Sequence, residues 1–308
     1  MDAYLCVSID CECDKGPGWR VKRPLAFAGI TEGIGERLQP LFASFGAKPT
    51  YLLSPEVLGD PASVAVLRRL GQNAELGTHL HGEFVAPDAF TPDETSAFQC
   101  NYPPAVERAK LTALTDLFRD AFTVAPRSFR AGRFGIGPHS LGFLSALGYS
   151  VDSSVTPGKS WRKQGAAPAD FRTAPHQPYW PDLTAPARIG APGRLLEVPV
   201  TIRPRRLPLL GRWLEPRWLR PTKATVHSLV RLARDERTRA GNDRPVVLNA
   251  MFHNVEIMPG LSPYATNEDQ AGAILAHLAG LLRFARAEGI EVVGLSEVAG
   301  LFAAATSS

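Results

Sequence analysis

The feature that most constrains this chain is an alternation. Short apolar, β-rich runs at residues 4–9, 49–53, 75–80, 128–131, 149–152, 195–200, 246–252 and 290–293 read as strands. Helical patterns separate most of them. Residues 30–45 end at Gly46, and Ser54 caps a helix with Pro55 at its first position, reaching about Leu70. Further helices are expected at 105–122, 138–147, 222–239 and 266–288, with a short one at the C-terminus. Strand–helix repetition of this kind predicts parallel βα units. A length of 308 residues suits one barrel-type domain over 1–308 better than two average domains.

In a parallel barrel the C-terminal ends of the strands converge on one face, where chemistry is done. Six polar residues sit at such ends: Asp10, Glu12, His79, His81, Arg130 and His253. His79 and His81 belong to Glu75-Leu76-Gly77-Thr78-His79-Leu80-His81-Gly82-Glu83, which holds two of the seven histidines. Residues i and i+2 of an extended segment point to one side, so both imidazoles can face one ion. By the same rule Asp10 and Glu12 share a face while Cys11 and Cys13 point away.

Two imidazoles and one carboxylate form a three-ligand set for zinc or another divalent first-row metal. A second carboxylate and a separate histidine remain, which suits metal-assisted hydrolysis. The metal polarises a carbonyl and acidifies water, a carboxylate takes the proton, and a histidine protonates the departing amine. Arg130 is suited to orienting a carboxylate through a bidentate pair, with a strand-end salt bridge as its plainer reading.

These residues resemble a known family. Ser8-Ile9-Asp10-Cys11-Glu12 is similar to the first motif of the polysaccharide deacetylases (NodB homology, carbohydrate esterase family 4). The stretch from Glu75 to His81 resembles their metal-binding motif. Phe129-Arg130-Ala131-Gly132-Arg133-Phe134-Gly135 resembles the third motif, and Phe252-His253-Asn254-Val255-Glu256 the last. The pieces occur in family order across most of the chain. The extension from Val255 to Gly260, with Ser262-Pro263-Tyr264, resembles a cytosolic, WalW-like branch associated with surface-polysaccharide biosynthesis.

The resemblance implies an α/β fold, a distorted (β/α)7 barrel, and removal of acetyl groups from N-acetylated sugars with a divalent metal, zinc foremost. Asp10 would be the general base, Glu12, His79 and His81 the metal ligands, and His253 the general acid. Two departures stand out. Cys11 separates Asp10 from Glu12 where the family commonly has adjacent aspartates. The family also spaces its histidines i,i+4, a position held here by Glu83, so either His81 or Glu83 is the second ligand after His79; His81 is preferred. Glu256 is expected to support His253 rather than bind metal.

The remaining segments carry weaker signals. Residues 156–194 read as an irregular insertion, and 85–104 as a long loop over one end of the barrel. Residues 203–223 interleave basic side chains with Trp and Leu, which resembles a segment for an anionic membrane surface. A surface hairpin that packs its tryptophans on the barrel is the preferred reading. The net charge of +4 is no nucleic-acid footprint. Four cysteines without a Cys-x-x-Cys pair are expected reduced, and a start without a basic, apolar leader points to the cytoplasm. The substrate expected is an N-acetylated carbohydrate on a nucleotide or lipid carrier. Two rivals are a metal-free hydrolase of small cyclic amides or imides and a catalytically inactive carbohydrate-binding protein.

Overall fold

The computed structural model describes residues 2–87, 98–207, 212–240 and 244–306. Its first five strands are β1 (Ala3–Cys11), β2 (Thr50–Leu53), β3 (Glu75–Leu80), β4 (Ser128–Ala131) and β5 (Val151–Asp152). β6 (Pro181–Asp182) and β7 (Ala185–Ile189) form a small antiparallel hairpin, and β8 (Leu196–Glu197) returns to the main sheet. A second hairpin, β9 (Ile202–Leu207) and β10 (Arg212–Trp218), precedes β11 (Val246–His253) and β12 (Glu291–Val292).

The main sheet runs β11-β1-β2-β3-β4-β5-β8, with every neighbouring pair parallel. That is the expected distorted seven-stranded barrel. β12 does not extend the far edge; it pairs with Tyr4 and Leu5 of β1, below the point where β2 joins at Ser8. Among the described residues β8 and β11 do not pair. The chain bridges that seam instead. Thr201 N donates to Asn249 O at 2.9 Å, and Asn249 N donates to Thr201 Oγ1 at 2.8 Å.

Alternation along β1 explains the two sides of the wall. Leu5, Val7, Ile9 and Cys11 join the main core beneath the helices, whereas Ser8 and Asp10 hydrogen-bond across the interior. The outer helices are α1 (Ala28–Thr31), continued through one π turn at Gly33–Leu38 into α2 (Gln39–Phe45), then α3 (Pro55–Leu58) and α4 (Pro61–Arg68). α5 (Pro104–Phe122), α6 (Ser140–Leu147), α7 (Val226–Arg239) and α8 (Glu268–Ala287) follow. The single helix expected over 54–70 is two helices. Pro61 has no N–H to continue α3, and Asp60 restarts the chain by accepting from Ser63 N at 2.8 Å. The insertion is also less irregular than expected, since it contains the β6–β7 hairpin.

α9 (Leu295–Thr306) plugs the bottom of the barrel. Leu295, Val298 and Phe302 bury against Val151, Leu196, Val198 and Val247. Each such apolar side chain contributes about 1.5–3 kcal/mol. The helix start is tied down by Glu75, whose two carboxylate oxygens accept from Ser296 N at 3.1 and 2.9 Å. This leaves the opposite, C-terminal end of the strands open for a site.

Candidate metal-binding and catalytic site

β3 delivers the histidines. Gly77, in mid-strand, has no room for a β-carbon, which would run into Ser128 and Leu52. The glycine thus lets β4 approach, rather than a ligand. His79 points inward and is 1% exposed. Its Nδ1 lies 3.0 Å from the carbonyl of Arg130. A carbonyl only accepts, so Nδ1 carries a proton and Nε2 is the nitrogen that faces the carboxylates. That Nε2 is buried with no hydrogen-bond partner, 3.4 Å from Glu12 Oε1 and 3.9 Å from Asp10 Oδ2.

His81, just past the strand, brings its Nε2 to 3.1 Å from the same Glu12 Oε1. Glu83 stands behind it, with Oε1 3.2 Å from His81 Nδ1, and is itself held by Arg133 at 3.0 Å. His81, not Glu83, therefore faces Glu12. Burial disfavours the imidazolium, but Glu12 and Glu83 outweigh it and lift His81 to about 9.

Glu12 is the hub of the cluster. Its Oε1 meets His79, His81 and also His253, whose Nε2 is 3.5 Å away. Its Oε2 pairs with the buried Lys15 Nζ at 2.7 Å. Burial raises the Glu12 carboxyl, yet His81 and Lys15 hold it well below the ordinary value. The Asn254 side chain clamps the Glu12 backbone, accepting from its N–H at 3.0 Å and donating to its C=O at 3.1 Å.

Asp10 and His253 are register partners on β1 and β11. Asp10 Oδ1 accepts from Arg130 Nη1 at 2.6 Å, which leaves Oδ2 facing His79 and His253, each at 3.9 Å. Burial opposes ionisation, but Arg130, His79 and His253 together keep Asp10 below its usual carboxyl value. His253 Nδ1 lies 2.7 Å from Glu256 Oε1. Glu256 is in turn bound by Arg220 and Thr222, and despite burial their field and that of His253 lower it to about 2. Trp19 meets the His253 ring edge-on at 5.0 Å.

Arg130 differs from the expected bidentate clamp. It is fully buried and gives Asp10 one N–H; three more go to Ser8 Oγ, Ser153 Oγ and Ser153 O at 2.7–2.9 Å. It holds Asp10 from within the barrel wall, with no exposed surface of its own. Sequence reasoning missed Lys15, three residues after Glu12, and Arg220, which no local signal marks. It also missed Lys110, whose buried Nζ donates to the carbonyls of Gly82 and Val85, each at 2.8 Å, and of Pro87, anchoring the chain as it leaves His81.

Glu12, His79 and His81 pass a simple test as metal ligands. Among the described residues they are the one group whose His and carboxylate atoms, all within 4.8 Å of one another, suit a single ion. Ligands at about 2.0–2.1 Å around a tetrahedral ion lie roughly 3.3–3.4 Å apart, close to the 3.1 and 3.4 Å from Glu12 Oε1 to the two imidazoles. The orphaned Nε2 of His79 is what a buried ligand looks like without its ion. Carbonyl and carboxylate partners on the far nitrogens are the arrangement that fixes ligand tautomers.

The core of the expected long loop, residues 88–97, lies outside the described residues, as do 208–211 of the basic segment. Within that segment Trp218 is buried against Phe134, Val200, Ile202 and Met251. Arg203 pairs with Glu236 and Arg217 with Asp235. Those contacts agree with the preferred hairpin reading. No helix among the described residues is long and apolar enough to cross a membrane.

No family model matches the chain, and no curated protein sequence does. Solved structures do. A protein assigned as a glycoside hydrolase/deacetylase from Parabacteroides distasonis superposes with a TM-score of 0.64 at 12% identity, over 97% of this chain and 71% of that one. A protein assigned as a polysaccharide deacetylase from Mycobacterium smegmatis gives 0.57 at 16%, over 99% and 92%. A GH57-type branching enzyme from Pyrococcus horikoshii gives 0.55 at 12%, over 98% and 71%. The fold is therefore the incompletely closed (β/α)7 barrel of the NodB/polysaccharide deacetylase type. At these identities the likeness is one of fold, and function rests on the site.

Proposed function

We propose that the chain is a metal-dependent hydrolase that removes the acetyl group from an N-acetyl amino sugar. The sugar is a nucleotide- or lipid-linked precursor in surface-polysaccharide biosynthesis, in the manner of the WalW-like branch, and the reaction is cytoplasmic. The observation that carries this reading is the convergence of three imidazole Nε2 atoms on Glu12 Oε1 at the mouth of the barrel, with Asp10 Oδ2 3.9 Å from two of them.

Glu12, His79 and His81 would hold a divalent ion, zinc foremost. When bound, such an ion polarises an amide carbonyl and lowers the pKa of water. Asp10, kept ionised by Arg130, takes the proton through Oδ2. His253, oriented by Glu256, delivers a proton from Nε2 to the departing amine. Trp19 shields the His253 ring from solvent.

The GH57 likeness raises glycoside cleavage as a rival. That chemistry needs one carboxyl to donate a proton. Neighbouring cations lower both Asp10 and Glu12 against the effect of burial, which opposes that role for either. Peripheral contact of residues 203–223 with anionic membrane is a further part of the proposal. Its support is the exposed Arg205 and the half-buried Leu214 on the hairpin.

Elemental analysis of protein purified without added metal, together with acetate release from N-acetylated sugars, tests the reading. One ion per chain and released acetate are expected. A metal-free protein that takes up none on titration transfers the assignment to the metal-free amide hydrolases. Metal without turnover on any acetylated sugar leaves a carbohydrate-binding protein.

A further inference from the structure

Beside the catalytic residues stand cations that the reaction above does not use. Lys159, in the segment after β5, is half buried, with its Nζ over the Trp161 ring at 4.1 Å and the Trp218 ring at 5.2 Å. It forms no ion pair among the described residues. Burial, together with Lys223 and Arg220, lowers its pKa against the opposing pull of Glu215. Arg220 is committed to Glu256. Lys223 is exposed, lies 5.9 Å over the Tyr264 ring and forms no ion pair among the described residues either.

These lysines are tied to the catalytic residues by aromatic contacts. Tyr264 packs on Trp19 at 5.7 Å, and Trp19 on His253 at 5.0 Å. On the other side Trp161 stacks on Phe134 at 5.6 Å, and Phe134 lies under the Arg130 guanidinium at 5.9 Å. Lys223 lines the same cavity as Trp218, the ring beneath Lys159 Nζ, and unpaired ammonium groups so placed, one of them half buried, repel and lose hydration. An anion between them removes both costs. Aromatic faces on either side suit the apolar face of a sugar, and a phosphate suits the lysines.

We propose that Lys159 and Lys223 form a phosphate subsite at the mouth of the barrel, so that the substrate is an acetamido sugar carrying a phosphate or diphosphate ester. The sugar end of this assignment rests on the deacetylase reading; the phosphate end does not. A nucleoside diphosphate sugar and a polyprenyl diphosphate sugar share this chemistry, and the subsite takes the group common to both.

The probe is inorganic pyrophosphate, titrated calorimetrically into the metal-loaded protein and into Lys159→Met, Lys223→Met and Lys48→Met. Lys48 is a charge-matched control, paired with Glu297 of the barrel plug. Each of the first two changes is expected to weaken binding about tenfold, and the third to leave it unaltered. Binding that survives both changes, weakens equally in Lys48→Met, or is absent at millimolar pyrophosphate overturns the subsite. Displacement of pyrophosphate by a nucleoside diphosphate sugar, or by a polyprenyl diphosphate sugar in micelles, supports it and identifies the source; displacement by neither rejects the substrate class. Acetate release is scored separately. Lysine-dependent binding without acetate release keeps the subsite and removes the deacetylase reading, and acetate release with lysine-independent binding does the reverse.

Discussion

Lys15 Nζ lies 2.7 Å from Glu12 Oε2, so only the other oxygen of Glu12 is free to meet His79, His81 and His253. The ammonium turns a carboxylate that could grip an ion with two atoms into one that offers a single atom. Lys15→Met is expected to weaken metal binding by about 10–100-fold, the usual effect of losing a partner behind a ligand. Competition against a chelator measures it. An unchanged affinity would make Lys15 a packing residue.

His81 and Glu83 are separable by metal content. His81→Ala and His79→Ala each remove a ligand atom and are expected to leave the purified protein without its ion. Glu83→Gln keeps a hydrogen-bond acceptor behind His81 Nδ1, so stoichiometry stays at one while affinity falls roughly tenfold or more. Metal loss in Glu83→Gln together with retention in His81→Ala would assign the ligand to Glu83.

Asp10→Asn and His253→Gln are expected to keep the ion yet lower the rate of acetate release by about 10²–10⁴-fold each. Glu256→Gln leaves both nitrogens of His253 in place and costs less. Steady-state rates on metal-checked protein decide this. An Asp10→Asn protein of full activity would remove Asp10 from the role of base.

Asp152 and Glu197 are register partners on β5 and β8 with no exposure. Burial raises both carboxyls, and Asp152 raises Glu197 further. Groups raised in this way hold protons in the folded chain that the unfolded chain releases. The stability they supply is complete below the unfolded carboxyl value near 4.3 and is lost as pH climbs towards the folded one. Glu197→Gln still accepts from Val155 N, can donate to Asp152 and does not ionise. Its melting temperature is expected to exceed wild type by about 2 °C or more near pH 8 and to match it near pH 4. An equal shift at both values would trace the effect to packing.

Much of the site was legible because parallel strands put their last residues on one face. β3 and β4 fall at the expected residues, and Asp10, Glu12, His79, His81 and His253 meet within a few ångströms. The partners of those residues were hidden. Arg220 reaches Glu256 across 36 positions, and Arg130 reaches Asp10 across 120. A lone basic residue in a sequence reads as surface, and neither burial nor the identity of a distant acid shows in local pattern. The break between α3 and α4 was written in Asp60-Pro61, but continuous apolar spacing on both sides masked it. Lys110 was missed for a related reason, since three backbone carbonyls leave no trace in side-chain pattern.

The seam between β8 and β11 divides the molecule by kind of inheritance. The strands that carry Asp10, His79 and His253, with Glu12 just past the end of β1, form one unbroken ladder from β11 to β3. Residues 153–207 and 212–220, with Lys159 and strands β9 and β10, are laced across the gap chiefly through Thr201, Leu219 and Asn249. Descendants of such a barrel can exchange or lengthen material between Ser153 and Arg220, the two residues that hold Arg130 and Glu256, and keep the site intact. Substrate preference in this architecture is thus free to drift faster than catalysis.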